Sequence, residues 1–216
     1  MRIGMLGTGS VGQTLGTKLV SLGHEVRMGS REKGNEKAVG WAKAAGPKAS
    51  QGSFADAASF GELLFNCTSG RHSLEALRAA GEPNLSGKVL VDVANPLELS
   101  KGAPPTLAVA NSDSLAEQIQ RAFPKAKVVK ALNTISAALM VNPQRLGGDH
   151  DLFVCGDDAA ARRQVVSLLK EGFGWRTVHD LGDLTAARGM EAWLLLWARL
   201  MGAFGSADFN LHIVRG

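Results

Sequence analysis

Tyrosine is absent from this chain, which excludes the Tyr-x-x-x-Lys proton donor that short-chain alcohol dehydrogenases use to protonate a carbonyl oxygen. Cysteine is nearly absent as well. Cys67 and Cys155 are the two present; they sit in apolar, strand-like runs with no CxxC or Cys/His spacing, so buried reduced thiols are expected rather than a disulfide framework or a metal site. Long apolar runs are missing: the stretch Ala192 to Ala198 stops at Arg199, well short of the ~20 residues that span a bilayer. The apolar residues at the N-terminus run into glycines rather than into a cleavage site. Neither sign of charge dominates, since 24 Lys and Arg against 20 Asp and Glu leave +4 spread along the chain, too mild a balance for nucleic acid. The expectation is a cytoplasmic protein with no membrane anchor, no nucleic-acid partner and no metal.

What is present is a globular composition, 216 residues with 45% hydrophobic and 20% charged, enough to bury a sizeable core. Short apolar runs alternate with helical periodicities. Strands are expected at Arg2 to Leu6, Glu25 to Met28, Glu62 to Cys67, Lys88 to Val93, Lys127 to Leu132, Asp151 to Cys155 and Arg176 to His179, with a weak one at Ala49 to Gln51. Such alternation predicts an α/β fold of parallel βαβ units, a doubly wound and mainly parallel sheet. Val11, Leu15, Leu19 and Leu22 form one apolar helical stripe that ends at Gly23, and Ser114 to Phe123 also reads as helix after a break at Gly102 to Pro105. Beyond about Leu181 one long helix carries Met190, Trp193, Leu194, Trp197, Leu200, Met201 and Phe204 at three- and four-residue spacing. That stripe is either core or a subunit interface or pocket roof.

Chemistry concentrates where strands end. Gly7-Thr8-Gly9-Ser10-Val11-Gly12 follows the first strand and opens the first helix, the context in which G-x-G-x-x-G binds a dinucleotide. Gly7 permits the tight turn, Gly9 lets the backbone approach a pyrophosphate, and Gly12 lets helix and strand pack closely. Free N–H groups at the helix start then face the phosphates. At the end of the second strand, where NAD enzymes place a carboxylate, the chain reads Met28-Gly29-Ser30-Arg31 with no acid before Glu32. Ser30 and Arg31 suit a 2′-phosphate and Lys33 adds positive charge, so NADP(H) is expected over NAD(H). Thr68, Ser69 and His72 follow the strand of Cys67. Ala94-Asn95-Pro96 follows Val93, with Asn95 held extended by the proline, and Asn133 to Ala137 follows Leu132. Ser69 and Ser136 serve equally well as helix caps. His72 is the best-placed ionisable group should a proton move.

Read in order, GTGSVG, MGSR, VDVANPL, KALNTISA and VCGDD resemble the NADP-dependent coenzyme F420 reductase family, related to the ferric-reductase domains of STEAP proteins. The likeness covers roughly residues 1 to 180. It implies a Rossmann NADP-binding domain over 1–180, a small C-terminal helical extension over 181–216 for a substrate pocket or dimer contact, a homodimer, and hydride transfer between NADPH and a deazaflavin (F420) or flavin-type acceptor. It also implies NADP contacts at Thr8, Gly9, Ser10, Val11, Ser30 and Arg31, and a contact near the nicotinamide at Ala137. Members that use F420 carry His-Thr-Ile-Pro-Ala after the corresponding strand. Here Asn133 replaces that His and Ser136 the Pro, so Asn133 can donate an amide but cannot become cationic. The rival expectation is a non-catalytic NADP(H)-binding sensor in which the Trp193/Trp197 helix reports occupancy. Reduction of a small imine or carbonyl is a weaker one, because few residues remain for a large helical domain.

Overall fold

Apolar residues at alternate positions build the strands, and the computed structural model describes residues 1–100 and 102–216. The strands are β1 (Arg2–Leu6), β2 (Glu25–Ser30), β3 (Ala49–Ser53), β4 (Leu63–Asn66), β5 (Val89–Asp92), β6 (Leu97–Glu98), β7 (Thr106–Leu107), β8 (Lys127–Ala131), β9 (Asp151–Cys155) and β10 (Thr177–Asp180). The helices between them are α1 (Ser10–Ser21), α2 (Glu36–Ala45), α3 (Phe54–Phe60), α4 (Ser73–Ala80), α5 (Glu82–Leu85), α6 (Leu115–Ala122), α7 (Ala137–Val141), α8 (Ala159–Ser167) and α9 (Ala187–Phe204). One sheet runs β10-β9-β8-β5-β4-β1-β2-β3, and β6 and β7 form a separate short antiparallel pair. Neighbours in the large sheet are parallel except β8 with β9. This is a Rossmann-like, doubly wound arrangement.

The period-two pattern sorts side chains onto two faces. Ile3, Met5, Leu63, Phe65, Val89 and Val91 join Leu15 and Leu19 of α1 and Trp41 of α2 in one apolar cluster. Leu6, Leu64 and Leu90 join Ala57 of α3, Leu77 of α4 and Ile119 of α6 in the other, which also takes in Ala187 and Met190 at the start of α9. Truncating a fully buried leucine such as Leu15 to alanine would cost about 2–5 kcal/mol.

Several expectations need adjusting. The weak strand at Ala49 is a full edge strand, β3, and Cys67 falls just beyond β4 rather than within it. Helices α2 and α3 went unanticipated, although each carries a local start signal: Asn35 accepts from the Ala38 N–H, and Ser53 and Asp56 form a reciprocal capping box. The stripe of α1 buries Leu15 and Leu19 but leaves Leu22 exposed and Val11 half-buried. The α9 stripe is divided likewise. Met190 and Leu194 are buried, Trp193, Trp197 and Leu200 half-buried, and Met201 and Phe204 exposed, so the core reading holds only for the first half of the helix. No helix among the described residues is long and apolar enough to cross a membrane. Among them no cluster of His, Cys, Asp and Glu has the arrangement of a metal site either.

Candidate functional site

The order of the strands reverses between β1 and β4, and the crevice at such a switch point is where open α/β sheets bind ligands. Gly7 sits there at φ 119, and a Cβ on it would lie 2.6 Å from the Cys67 carbonyl oxygen. Only glycine suits that turn. Two residues on, the space opens: nothing lies within 4 Å of where a Cβ on Gly9 would stand. Gly9 is also the N-cap of α1 and supplies no side-chain cap, which leaves first-turn N–H groups directed at that space. Gln13 Nε2 donates to the Thr8 carbonyl at 3.0 Å and holds the loop in place.

A cavity of about 560 Å³ extends from this loop. It brings together Gly7, Thr8 and Gly9 with Ser30 and Arg31 from the end of β2, and with Thr68, Ser69 and His72 from the segment after β4. Lys33 lines an adjoining cavity with Thr8 and Asn35. Arg31 is exposed and forms no ion pair among the described residues. Ser30 is buried and donates its hydroxyl to the Glu32 carbonyl at 2.5 Å, across the turn after β2. The side chain therefore shapes the loop that presents Arg31. His72 is exposed, with Nδ1 3.5 Å from the Glu75 carboxylate.

The segments after β5 and β8 meet beside this cavity rather than in its wall. Asn95 Nδ2 donates to the Asn133 carbonyl at 2.9 Å, and Asn133 Nδ2 donates back to Asn95 Oδ1 at 2.9 Å and to the Met190 carbonyl at 3.0 Å. Both amide hydrogens of Asn133 are thus engaged inside the protein. Leu132, at φ 64, turns the chain to make these bonds possible, a strained conformation for a branched residue. Ser136 does not cap α7 through its hydroxyl and Ser69 caps nothing through its own, which corrects the capping alternative for both. Instead Asn133 Oδ1, Thr134 Oγ1 and Ser136 Oγ are buried with no partner among the described residues. Ala137 is half-buried at the start of α7, and Pro96 is buried.

The polar cluster that sequence reasoning missed lies beneath the crevice. Lys130, fully buried, places Nζ 2.8 Å from Asp92 Oδ2 and 2.8 Å from Glu191 Oε1, and also donates to the Ala94 carbonyl. Asp92 Oδ1 accepts from Asn66 Nδ2 at 2.8 Å, and Asn66 Oδ1 accepts from the Thr68 hydroxyl at 2.7 Å. Glu191 accepts from the Leu115 and Ala116 N–H groups at the start of α6, at 2.9 and 3.2 Å. Burial alone would lower the pKa of Lys130, but the two carboxylates outweigh it and raise it. Burial pushes the Glu191 pKa up, with Asp92 adding repulsion against the pull of Lys130. The signal that could have found this cluster is a charge inside an otherwise apolar strand, since such charges are buried only when paired.

The cysteines carry no chemistry at the crevice. Both are free thiols, and burial drives the pKa of each up, that of Cys155 to about 12.

Comparison with known proteins agrees with this geometry. The family model described as NADP oxidoreductase, coenzyme F420-dependent, matches residues 2–96. The F420-dependent NADP reductase of Methanocaldococcus jannaschii is 31% identical over 206 residues, 89% of this chain and 88% of that one. Metalloreductase STEAP3 of Rattus norvegicus is 35% identical over 195 residues, 88% of this chain but 36% of its own length, so the chain spans about a third of that relative. A crystal structure from Arthrobacter sp. FB24, provisionally described as an F420-dependent NADP reductase, superposes with a TM-score of 0.93 at 50% identity and covers 99% of both chains. An Aspergillus terreus reductive aminase in complex with NADPH shares the fold, with a TM-score of 0.66 at 19% identity over 94% of this chain and 62% of that one. By these relationships the chain belongs to the family of coenzyme F420-dependent NADP oxidoreductases and is by class an NADP-dependent oxidoreductase.

Proposed function

We propose that this protein transfers a hydride between NADPH and a planar deazaflavin or flavin-type acceptor. The observation that carries the reading is the cavity at the switch point, open at Gly9 and ending on an unpaired Arg31 with no carboxylate in the NAD position. The backbone from Gly7 to Gly12, with the first-turn N–H groups at Ser10 and Val11, cradles the diphosphate, and the α1 dipole favours its charge. Arg31 grips the 2′-phosphate through its planar guanidinium, Ser30 fixes the loop that aims it, and Lys33 adds charge from the adjoining hollow. Thr68 and Ser69 flank the dinucleotide on the β4 side. Ala94, Asn95, Pro96 and Ala137 bound the nicotinamide end.

When bound, the nicotinamide would supply the chemistry, a hydride for the acceptor ring, with a solvent proton completing the reduced acceptor. The chain contributes position rather than acid, because stacking the reacting rings about 3–3.5 Å apart removes most of the barrier a protein can remove. The unpartnered Asn133 Oδ1, Thr134 Oγ1 and Ser136 Oγ support an acceptor face after β8, as buried polar atoms without partners are rare unless a ligand or water meets them. Residues 181–216 close that face. Two copies pair through the exposed end of α9, where Leu196, Met201 and Phe204 remain uncovered.

Stopped-flow mixing of the protein with NADPH and either F420 or FMN tests the reading. Acceptor-dependent loss of the NADPH absorbance supports it. NADPH that binds tightly yet is never consumed would instead favour a non-catalytic sensor.

A further inference from the structure

Adjacent residues of α9 are tied to the crevice by opposite ends of one circuit. Lys130 Nζ bonds the Ala94 carbonyl and, 2.8 Å away, Glu191 Oε1. Next to Ala94, Asn95 exchanges amide bonds with Asn133, and Asn133 Nδ2 reaches the Met190 carbonyl at 3.0 Å. The chain from Met190 to Glu191 closes the ring. Three residues beyond Met190, Trp193 Nε1 donates to the Thr134 carbonyl at 3.0 Å, beside the Thr134 hydroxyl, which has no partner among the described residues.

Stability does not explain this circuit. A buried ion cluster is often matched or improved upon by apolar residues of similar volume, because desolvation offsets the Coulomb attraction. Directed bonds, by contrast, fix placement. The apolar contacts of Ala187 and Met190 are non-directional, whereas a carboxylate held by one ammonium and two α6 amides at 2.8–3.2 Å fixes α9 in direction as well as distance against β8 and α6.

We propose that Lys130 is a positioning residue for hydride transfer: through Glu191 and Ala94 it sets where α9 and its Trp193 stand over the acceptor side of the crevice. The inference rests on the reading of that crevice as the hydride-transfer site. It separates the two ends of the dinucleotide, because the loop at Gly7 to Gly12 that holds the diphosphate lies outside the circuit, whereas Ala94 and Asn95 at the nicotinamide end belong to it. Asp92 links Lys130 to that loop's side through Asn66, whose amide also donates to the Ser73 hydroxyl and whose oxygen accepts from Thr68.

The neutral variant Asp92→Asn/Lys130→Met/Glu191→Gln tests this without leaving an unpaired charge. Its NADPH Kd should stay within about twofold of wild type and its melting temperature should be comparable, while single-turnover hydride transfer to saturating FMN or F420 falls at least tenfold. A wild-type rate in the folded variant overturns the proposal. Should the triple variant not fold, Glu191→Gln alone retains the size of the residue and an acceptor for one of its two α6 amides. A threefold or greater loss of rate at unchanged NADPH Kd supports the proposal in that variant, and an unchanged rate overturns it. If wild type consumes no NADPH with either acceptor, the functional reading fails by itself. Lys130 is then judged by exchange of the Trp193 indole N–H, which should be at least tenfold faster in the variant and whose constancy would overturn the positioning role.

Discussion

The two sides of the crevice are built by different means. From β1 to β4 the chain shapes its site with backbone: a glycine at φ 119, an open N-terminus on α1, and a loop that leaves one arginine free. From β5 to α9 it uses side-chain charge sunk below the surface, where Lys130 binds two carboxylates and a carbonyl at no solvent exposure. Backbone geometry can receive a ligand that arrives carrying its own charge. Buried charge serves instead to hold separate segments at fixed distances, and it makes its own side of the site sensitive to any loss of balance.

The largest effect expected from that contrast is on stability. Lys130→Met strands Asp92 and Glu191 without their cation, and breaking a buried pair from one side costs roughly 3–5 kcal/mol. The loss depends on pH. With the ammonium gone, its pull no longer offsets the burial that already raises the Glu191 pKa above its unfolded value, so Glu191 contributes stability below the unfolded pKa that disappears as pH rises through the folded value. The gap between variant and wild type, measured by urea denaturation, should therefore be smallest near pH 5 and grow toward pH 8. A gap that shrinks with rising pH would mean that the cluster is not charged as described.

On the other side, the matching perturbation should spare the fold. Gly9→Val places its Cβ in open space on an ordinary extended backbone, so stability should fall only by about the 1 kcal/mol that valine costs at an N-cap while NADPH binding falls about a hundredfold or more, roughly 3 kcal/mol. Gly7→Ala reverses the pattern, because its Cβ meets the Cys67 carbonyl at 2.6 Å and the fold itself must yield. Calorimetry of NADPH binding alongside thermal melts separates the two, and equal melting of both variants would erase the distinction.

What the sequence made legible follows the same division. The glycine loop, the Ser30-Arg31 turn and the parallel strands are written in neighbouring residues, where spacing alone carries the physics. Asp92 and Lys130 lie 38 residues apart, Asp92 in a strand whose other members are apolar and Lys130 in one that also carries Lys127, and Glu191 stands in a helix read for its hydrophobic stripe. Only the fold brings them together. For Asn133 the side chain's chemistry was readable but its commitments were not, since the carbonyl that takes its amide belongs to Met190. Exposure of the α9 end was equally hidden: periodicity locates an apolar face without saying what covers it.

A smaller effect tests the cofactor preference. Arg31→Ala removes a charge-assisted contact worth roughly 1.5–3 kcal/mol, so NADPH affinity should fall 10- to 150-fold while NADH affinity moves less than twofold. Equal losses for both would place Arg31 away from the 2′-phosphate and move the preference to Lys33.

The mildest perturbations compare one helix cap from each side. Ser53 accepts from the Asp56 N–H at 3.1 Å and sits on the partly exposed edge near β3, where removing a cap costs about 1 kcal/mol. Ser114 accepts from the Glu117 N–H at the same distance, but it is fully buried and also donates to Glu117 Oε2 at 2.7 Å, and that carboxylate is in turn gripped by Arg188 of α9. Ser114→Ala leaves a carboxylate short of a donor as well as an amide uncapped, at the same helix start that holds Glu191. The α9 side should therefore lose more, about 2 kcal/mol against 1 by chemical denaturation. Equal losses would show that the α6 start does not share load with the charges beside it, and that the two halves of the crevice are less different in construction than their hydrogen bonds imply.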